Sequence, residues 1–394
     1  MFDAVDAAIH RSVFERWVVG LVVCLVLVVW DVSQRDQPPS EARAAWVVPQ
    51  EMSDTKAWVN DGQGLIPMPA NTPAAHASSL VAMPKGSSSV LSAFWFAGAR
   101  ESAPDVQIVA SQFDRATRQW SEATFVVNRD DMAAQLGFGV RRLGNPVVWA
   151  DAQGRIHLFV VATGLGGWAA ARIVHLRQRD PLSDLDIKAF EVLRPLPLSW
   201  LWNTSFLVRA APMALQDGGM VLPVHFELGI KYPVALRFDA SGDFQGMVRM
   251  SRRTHVLQPT LLPMSDVHWL ALMRDQRPNG KVTAVETRDG GRSWVDLPDL
   301  HLDNPDASVA GLAVAPGQMF LAHNSSPHSR TTLDLSRSSS GVSWTLMQRL
   351  AHGETPAEFS YPAVTWAEGH LWTSYTDRRQ QIAWQRFAKP KTSP

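Results

Sequence analysis

One eight-residue motif restricts the fold of this chain more than any other feature of its sequence. Residues 287–294 read TRDGGRSW and fit the pattern Ser/Thr-x-Asp-x-Gly-x-Ser/Thr-Trp at every fixed position. Fifty residues later, residues 337–344 (RSSSGVSW) keep the glycine, serine and tryptophan and have Ser339 in place of the aspartate. Such a motif makes a capped turn with a packed tryptophan. A period of about fifty residues suits one four-stranded blade of a β-propeller.

From about residue 76 the chain is a succession of short apolar runs separated by turn sequences rich in Gly, Asp, Asn and Pro. The clearest runs are residues 90–96, 106–110, 146–150, 156–162, 220–224, 269–273, 319–322 and 371–375. Each has the length of a strand, and no long stretch of 3.6-residue periodicity separates them. This pattern predicts an all-β sandwich, barrel or propeller, and the fifty-residue repeat selects the propeller.

Composition excludes several classes of protein. Lys plus Arg and Asp plus Glu both number 37, and a net charge near zero argues against a nucleic-acid partner, which would need a basic face. Hydrophobic residues make up 46% of the chain, which indicates a globular protein with a large core. Cys24 is the single cysteine, so an internal disulfide and a cysteine-based metal site are both excluded.

The N-terminus carries a charge-free apolar run at residues 17–30 (WVVGLVVCLVLVVW). Arg11 and Arg16 precede it, and a positive N-terminal flank predicts a cytoplasmic N-terminus with the rest of the chain exported. We therefore predict one transmembrane helix as a membrane anchor at residues 1–35. A tether and lead-in follows at 36–75, and the propeller at 76–390.

Three other interpretations of the apolar run stay open. A cleaved signal peptide would use the small-x-small sequence at residues 42–44, which lies far beyond the run. A lipoprotein signal would use Cys24, which lies in the middle of the run after the bulky Val23. The third interpretation is a buried helix of the globular domain.

Several further stretches carry a resemblance to a known family. They are residues 95–101 with 105–108, 144–149 with 154–159, 274–275, 324–333 and 359–364 running on to 375–379. The order and spacing of these stretches resemble those of the sialidase superfamily, and more closely those of its bacterial branch of BNR-repeat proteins. The resemblance covers approximately residues 75–388. The motif at 287–294 is the Asp box of that family. The resemblance implies a six-bladed β-propeller, with the site at the central axis and the Asp boxes on the opposite face.

Sialidases cleave a glycoside next to an anomeric carboxylate. They use a tyrosine as nucleophile, where a carboxylate would be repelled. A glutamate activates the tyrosine, a separate acid protonates the leaving oxygen, and three arginines clamp the substrate carboxylate. The resemblance places the nucleophile at Tyr361 and the activating glutamate at Glu227. Asp105 is the predicted acid, and Glu101 in the same loop is its competitor.

For the clamp, the resemblance points to Arg274 and Arg330. The third arginine usually belongs to an Arg-Ile-Pro motif in the first blade, and the corresponding residues 75–80 (AHASSL) contain no arginine. Arg100 is the predicted replacement, and His76 is a predicted pocket residue. Because the third clamp arginine is missing from this motif, the substrate is expected to be sialic acid, another acidic sugar or a neutral sugar.

No cofactor and no metal are expected. The glycines at residues 164–167 follow a strand without a helix pattern behind them, and the 12 histidines form no metal-binding motif. The expected function is a periplasmic exo-glycosidase of sialidase type, tethered to the bacterial inner membrane and acting on terminal acidic sugars. The alternatives are a non-catalytic propeller that binds glycans or proteins, and a structural scaffold. The sequence leaves the oligomeric state open.

Overall fold

A computed structural model of the chain describes residues 2–35, 39–48, 58–181 and 184–389. These residues form an N-terminal helix and six antiparallel sheets that follow one another along the chain. The all-β, six-bladed propeller expected from the sequence is confirmed. Each of the eight apolar runs overlaps a strand.

The elements have the following bounds. The helices are α1 (Phe2–Arg35) and α2 (Arg129–Leu136), with a 3₁₀ turn at Gly167–Ala170, and the first strand is β1 (Val59–Leu65). Blade 1 contains β2 (Ala74–Ala82), β3 (Ser89–Gly98), β4 (Gln107–Asp114) and β5 (Thr124–Val127). Blade 2 contains β6 (Arg142–Ala150), β7 (Ile156–Thr163), β8 (Ala171–Gln178) and β9 (Phe190–Pro195). Blade 3 contains β10 (Phe206–Val208), β11 (Met213–Ala214), β12 (Met220–Leu228), β13 (Ile230–Phe238) and β14 (Phe244–Arg249).

The bounds of the other three blades complete the ring. Blade 4 contains β15 (Val256–Pro263), β16 (Trp269–Asp275), β17 (Thr283–Thr287) and β18 (Val295–Asp296). Blade 5 contains β19 (Ala310–Ala315), β20 (Gln318–Asn324), β21 (Thr332–Ser338) and β22 (Thr345–His352). Blade 6 contains β23 (Phe359–Ala367), β24 (His370–Asp377) and β25 (Gln381–Ala388), with β1 as its outer strand.

The hydrophobic core lies between neighbouring blades. Each of six clusters of buried residues combines side chains from two adjacent blades. Phe94 of blade 1 packs edge-on against Phe190 of blade 2, with ring centroids 6.2 Å apart, and Phe113 packs against Trp372 of blade 6 at 4.9 Å. Because every blade buries both faces, its inner strands read as nearly continuous apolar runs.

The ring is closed by β1, which pairs antiparallel with the last strand, β25. This pairing covers the outer edge of β25, which would otherwise be open to another chain. The segment 36–75, expected to be a tether and lead-in, therefore contributes a strand to blade 6. It also contributes Ala42 and Ala44, which are buried in the cluster between blades 3 and 4. The propeller extends N-terminal to residue 76.

The Asp box lies at the turn between the third and fourth strands of blade 4. Asp289 accepts hydrogen bonds from the Ser293 amide at 2.9 Å and from the Thr287 hydroxyl at 2.7 Å. Gly291 has φ +89°, and a Cβ there would come within 2.7 Å of the Trp269 ring. The motif is thus a structural turn.

Helix α1 contains an apolar segment, Val13–Gln34, of 22 residues with mean hydropathy 2.2. It is long and apolar enough to cross a bilayer. The propeller buries none of the 18 consecutive residues with the highest mean hydropathy. An apolar segment that the propeller leaves uncovered does not fit the interpretation as a buried helix of the globular domain.

Candidate functional site

A cavity of about 190 Å³ opens where five of the six blades converge. We call it the axial pocket. It is lined by Phe96, Glu101, Asn145, Trp168, Leu207, His225, Glu227, Leu257, Gln258, Arg274 and Tyr361. It lies at the end of the ring where the first strand of a blade begins and the second strand ends, as the pairing of Leu257 with Arg274 shows. We call this end the pocket face. The Asp-box turn lies at the opposite end.

Bulges at the start of the first strands direct side chains into the pocket. The register of the first strand shifts at this point in blades 1, 2, 4 and 6. In blades 4 and 6 the bulge residues Gln258 and Tyr361 have φ +53° and +52°, a left-handed conformation that is strained for residues other than glycine. Bulges and strained residues of this kind commonly position functional side chains.

A short signal in the sequence marks these positions. Asn145, Gln258 and Tyr361 each precede a proline in a first strand, and all three line the axial pocket. Of these three residues, only Tyr361 has a function predicted from the sequence. The shared residue-Pro pattern of three blades predicts Asn145 and Gln258 as pocket residues by the same reasoning.

Gln258 and Arg274 both contact Tyr361. The Gln258 amide nitrogen donates to the Tyr361 hydroxyl at 3.4 Å, and Arg274 Nη1 donates to the Gln258 amide oxygen at 3.2 Å. Burial alone would lower the pKa of Arg274, but Tyr361 and Asp306 together raise it above its ordinary value. Arg274 and Tyr361 therefore line one pocket, where they interact directly and are also connected through the Gln258 amide.

The role of Glu227 as the glutamate partner of Tyr361 stays a prediction, since both residues line the axial pocket. Glu227 lines the pocket at the end of β12, and its carboxylate pairs with Lys231 at 2.8 Å and lies 3.4 Å from His225 Nε2. The hydrogen bond with His225 lowers the pKa of Glu227 to about 2, against the opposing effect of burial. The hydrogen bond to the Tyr361 hydroxyl comes from Gln258 of blade 4.

The two acids predicted in the first-blade loop separate in the structure. Glu101 lines the axial pocket. Asp105 lies in a separate surface depression with residues 128–131, and its carboxylate accepts a hydrogen bond from the Ala99 amide at 2.8 Å. Asp105 therefore stabilises its own loop, and Glu101 is the loop carboxylate that reaches the pocket. Arg100 is exposed and does not line the pocket.

Alternating charges connect four blades around the pocket. We call this the charge chain: Arg274, Asp306, Arg330, Glu358, Arg379 and Glu101. Arg274 Nε lies 2.6 Å from Asp306, Arg330 Nη1 lies 3.0 Å from Glu358, and Arg379 Nε lies 2.9 Å from the same carboxylate. Arg330 also donates to the Asp306 carbonyl, and Arg379 to Glu101.

The charge chain changes the expected arginine clamp. Arg330 is half-buried between Glu358 and Asp306, and it does not line the pocket. Arg274 is therefore the arginine that faces the cavity. Arg379, which has no predicted role, supplies from the last blade a third cation near Tyr361. The signal for it was present in residues 375–379, within the family resemblance.

Two buried side chains, His76 and Arg209, pack against the Tyr361 ring. The His76 ring lies 4.2 Å from the Tyr361 ring, and burial, with Arg379, holds the pKa of His76 well below its ordinary value. Arg209 lies 5.0 Å from the same ring and donates to the Pro362 carbonyl at 2.6 Å. Burial lowers the pKa of Arg209 to about 10. His76 thus packs against Tyr361 but does not itself line the axial pocket. Arg209 could not be recognised from the sequence because it lies in an ordinary apolar run.

The buried His76 predicts a pH-dependent stability. Its pKa in the folded protein lies below the unfolded value of about 6.5, so the unfolded chain binds the proton more readily. Its contribution to stability is complete above pH 6.5 and decreases as the pH falls, by up to about 1.4 kcal/mol per pH unit. We expect His76→Leu to reduce the slope of unfolding free energy against pH between 6.5 and 5.

Chemical denaturation at several pH values measures that slope. His301→Leu is the matched control, because the imidazole of His301 is exposed in the folded protein. An unchanged slope in His76→Leu would contradict the assignment of this proton to His76.

The axial pocket combines three kinds of chemical group. Arg274 provides a cation, Tyr361 a hydroxyl, and Glu101 and Glu227 two carboxylates. Trp168 and Phe96 provide aromatic surfaces, on which sugar rings stack. Among the residues that the structure describes, no group of three or more His, Cys, Asp and Glu side chains could hold a metal ion. The arrangement suits binding of a polar, partly anionic ring and acid–base chemistry on it.

The fold and the pocket together define a propeller of sialidase type. Residues 89–372, which make up most of the chain, match the family described as BNR repeat-like domain. The chain belongs to this family. A comparison with curated protein sequences returns no match.

Solved structures share the fold at low sequence identity. The sialidase Hz136, described as a Hadza microbial sialidase, superposes with a TM-score of 0.65 at 17% identity, over 81% of this chain and 66% of that one. Trypanosoma rangeli sialidase superposes with a TM-score of 0.61 at 12% identity, over 85% of this chain and 60% of that one. A Dyadobacter fermentans protein of unknown function matches along its full length, with a TM-score of 0.65, 12% identity and 85% coverage of this chain. The chain spans no more than two thirds of the length of these two sialidases, and the likeness shows the fold alone.

Proposed function

We propose that this protein is an exo-glycosidase of sialidase type that removes a terminal acidic sugar from a glycan. The observation that carries the proposal is the meeting of Arg274 and Tyr361, from blades 4 and 6, in one axial pocket. The same pocket contains Glu101 and Glu227. A fold match alone does not define a function, so the proposal depends on these side chains.

Each pocket group has a role in this proposal. Arg274 binds the acidic group of the sugar through charge-assisted hydrogen bonds. Glu227, with a pKa of about 2, is ionised at neutral pH and stabilises positive charge that develops on the sugar ring. Glu101 is then the other lining carboxyl group, and it donates a proton to the leaving oxygen once substrate binding separates it from Arg379 and it takes up a proton. Tyr361 presents its hydroxyl to the ring from the first strand of blade 6.

We also propose that α1 stays attached as a membrane anchor, with the propeller in the periplasm of a bacterium. The support is Asp31, which belongs to the last turns of the helix and is buried against the propeller. Its carboxylate accepts hydrogen bonds from the Trp200 amide at 2.9 Å and the Leu201 amide at 3.0 Å. Cleavage at residues 42–44 would remove these contacts and leave the amides without their acceptor.

The proposed function is tested by turnover. Full-length protein in detergent micelles is incubated with aryl sialosides and aryl uronides. We expect release of the aryl group by the parent protein, and Tyr361→Phe to lower kcat by about 100-fold or more because it removes a pocket hydroxyl. Tyr375→Phe is the matched control, because the Tyr375 hydroxyl donates to the Leu350 carbonyl outside the pocket. Absence of turnover with every substrate, or equal activity in Tyr361→Phe, overturns the proposal.

A second function is favoured by one observation, the amide of Gln258 at the Tyr361 hydroxyl. An amide does not accept a proton at neutral pH, so it cannot activate a phenol as a carboxylate does. The protein would then bind a terminal sugar without cleaving it. Saturable binding of a glycan without turnover, retained in Tyr361→Phe and lost in Arg274→Met, distinguishes this function from the first.

A further inference from the structure

The structure places the apolar helix and the axial pocket on the same end of the propeller. Asp31 of α1 binds residues 199–201, which connect β9 to β10. β9 is the last strand of blade 2 and β10 is the first strand of blade 3. A connection from a last strand to the next first strand lies on the pocket face, because first strands begin there. The Trp30 ring also contacts the Trp200 ring, with centroids 5.6 Å apart.

The loops beside this attachment expose large apolar side chains. In the loop 199–202, Trp200 is 65% exposed, and Leu201 and Trp202 are also exposed. Leu165 is 80% exposed in the loop between β7 and β8, and Ile230 is exposed at the hairpin between β12 and β13. Both of these loops join a second strand to a third strand, so they too lie on the pocket face.

Three exposed tryptophans lie at this attachment, and a fourth lies near the other end of the apolar segment of α1. Among the residues that the structure describes, the exposed tryptophans are Trp17 and Trp30 in α1 and Trp200 and Trp202 in the adjoining loop. Exposed arginines, Arg141 and Arg252, lie in connections between blades on the same face. Tryptophan and arginine together are typical of surfaces that lie in the headgroup layer of a bilayer.

The apolar loops also adjoin the pocket itself. Trp168, which lines the pocket, belongs to the same loop as Leu165, and Glu227 is one residue from the hairpin at 228–230. Ser205 links the two groups, because its hydroxyl donates to the Ala169 carbonyl at 2.6 Å and its carbonyl accepts from the Glu227 amide at 2.8 Å. A bilayer that contacts these loops would therefore lie at the rim of the pocket.

We propose that the propeller lies on the membrane with its pocket face toward the bilayer, so that the axial pocket takes the sugar headgroup of a lipid in that membrane. The substrate class is a membrane glycolipid, and this part rests on the proposed glycosidase function. An apolar helix that crosses the bilayer and ends on the pocket face directs that face toward the headgroups. The exposed tryptophans then contact the interface that they prefer.

The orientation is tested with labels on the two faces of the full-length protein. Ile230→Cys and Leu165→Cys mark the pocket face, and Val342→Cys, in the turn between β21 and β22, marks the opposite face and is 61% exposed. All three are made with Cys24→Ala. The protein is placed in vesicles of phosphatidylcholine and phosphatidylglycerol with a short-range quencher attached to lipid headgroups. A blade strand of eight residues is about 26 Å long, so only pocket-face labels come within contact of the quencher.

We expect quenching of both pocket-face labels and none at residue 342. Quenching that is equal on the two faces, or stronger at residue 342, overturns the proposed orientation. This result does not depend on activity. Either pocket-face label alone is sufficient if the other variant does not fold.

The substrate class is tested in the same vesicles. Release of the terminal sugar is compared between a ganglioside-type lipid carrying an acidic sugar and the same oligosaccharide free in solution. We expect release at least about tenfold faster from the lipid, since both reactants are then confined to one surface. Equal rates overturn the glycolipid assignment. Absence of release from both, with pocket-face quenching, contradicts the glycosidase function while supporting the orientation.

Discussion

Replacing Gln258 with glutamate is expected to raise the rate of glycoside cleavage by about 100-fold. Gln258 is the side chain whose amide meets the Tyr361 hydroxyl, at 3.4 Å. Glutamate has the same length and differs by a carboxylate that can accept the phenol proton. A positioned general base contributes about 100-fold to 10,000-fold to catalysis, and the lower end applies to a base added to an unadapted site.

The new carboxylate would also meet Arg274, which donates to the Gln258 oxygen at 3.2 Å. Part of the positive charge that attracts an acidic sugar would then be neutralised. We therefore expect KM to rise together with kcat, and the increase in kcat/KM to be smaller than the increase in kcat. The bulge geometry at residue 258 should persist, because the two side chains have almost the same shape.

Steady-state kinetics with aryl sialosides measure both constants. Gln276→Glu is the matched control, because it makes the same change in the same blade at a residue that does not line the pocket. The combined variant Gln258→Glu with Tyr361→Phe should lose the gain. A kcat that stays at the parent level in a folded Gln258→Glu protein would show that the Tyr361 hydroxyl takes no part in the reaction.

The blade structure was predictable because its signals are local. The turn at residues 287–294 contains its own hydrogen-bonding groups, and short apolar runs buried on both faces identify strands without knowledge of their partners. The repeat then fixes the blade length. The number of blades came from the family resemblance.

Strand β1 was not predictable on the same grounds. It reads VNDGQGL and has no apolar alternation. Its glycines fit against a partner, because a Cβ at Gly62 or Gly64 would come within 3.2–3.4 Å of the Trp384 ring of β25. The sequence of β1 thus depends on a strand more than 300 residues away, which no local pattern reveals.

The same distinction applies to the axial pocket. Tyr361, Arg274 and Glu101 were predicted from the motifs of the family resemblance, and all three line the pocket. Gln258 and Arg209 were missed because their roles arise from contacts between blades. A residue-by-residue match predicts which side chains face the axis, whereas their hydrogen-bond partners depend on how the blades converge.

Substitution of Glu358 by glutamine is expected to destabilise the propeller by about 2 kcal/mol at pH 7. Glu358 is the centre of the charge chain. Its carboxylate lies 3.0 Å from Arg330 and 2.9 Å from Arg379, and it accepts a hydrogen bond from the Ser360 hydroxyl at 2.9 Å. Burial opposes ionisation, but Arg379 and Arg330 prevail and lower its pKa from 4.5 to about 2.

The pH dependence of this effect has a definite sign. The folded protein binds the Glu358 proton less readily than the unfolded chain, so the stabilisation is complete above pH 4.5 and is lost as the pH falls toward 2. A full shift from 4.5 to 2 would correspond to roughly 3 kcal/mol, and we reduce it because the carboxylate is partly exposed to solvent. The parent protein and Glu358→Gln should therefore differ most at neutral pH and converge in acid.

Glu358→Gln should also weaken glycan binding. Glu358 does not line the pocket, but its loss changes the ion pairs of residues that do. Arg379 would lose its main partner and remain paired with Glu101, which lines the pocket, so the position of that carboxylate would change. Arg330 would keep its bond to the Asp306 carbonyl, and Asp306 in turn holds Arg274. One neutralised carboxylate thus affects Glu101, a charged group of the axial pocket, through Arg379.

Unfolding free energies at pH 7, 5 and 3, together with glycan affinity at pH 7, measure these effects. Glu354→Gln is the matched control, because Glu354 is exposed in the loop that precedes the same strand. We expect the control to match the parent protein in stability and affinity. If Glu358→Gln loses stability equally at all three pH values, the loss comes from packing and not from the ion pairs. If stability falls while affinity is unchanged, the charge chain holds the blades together without positioning the pocket groups.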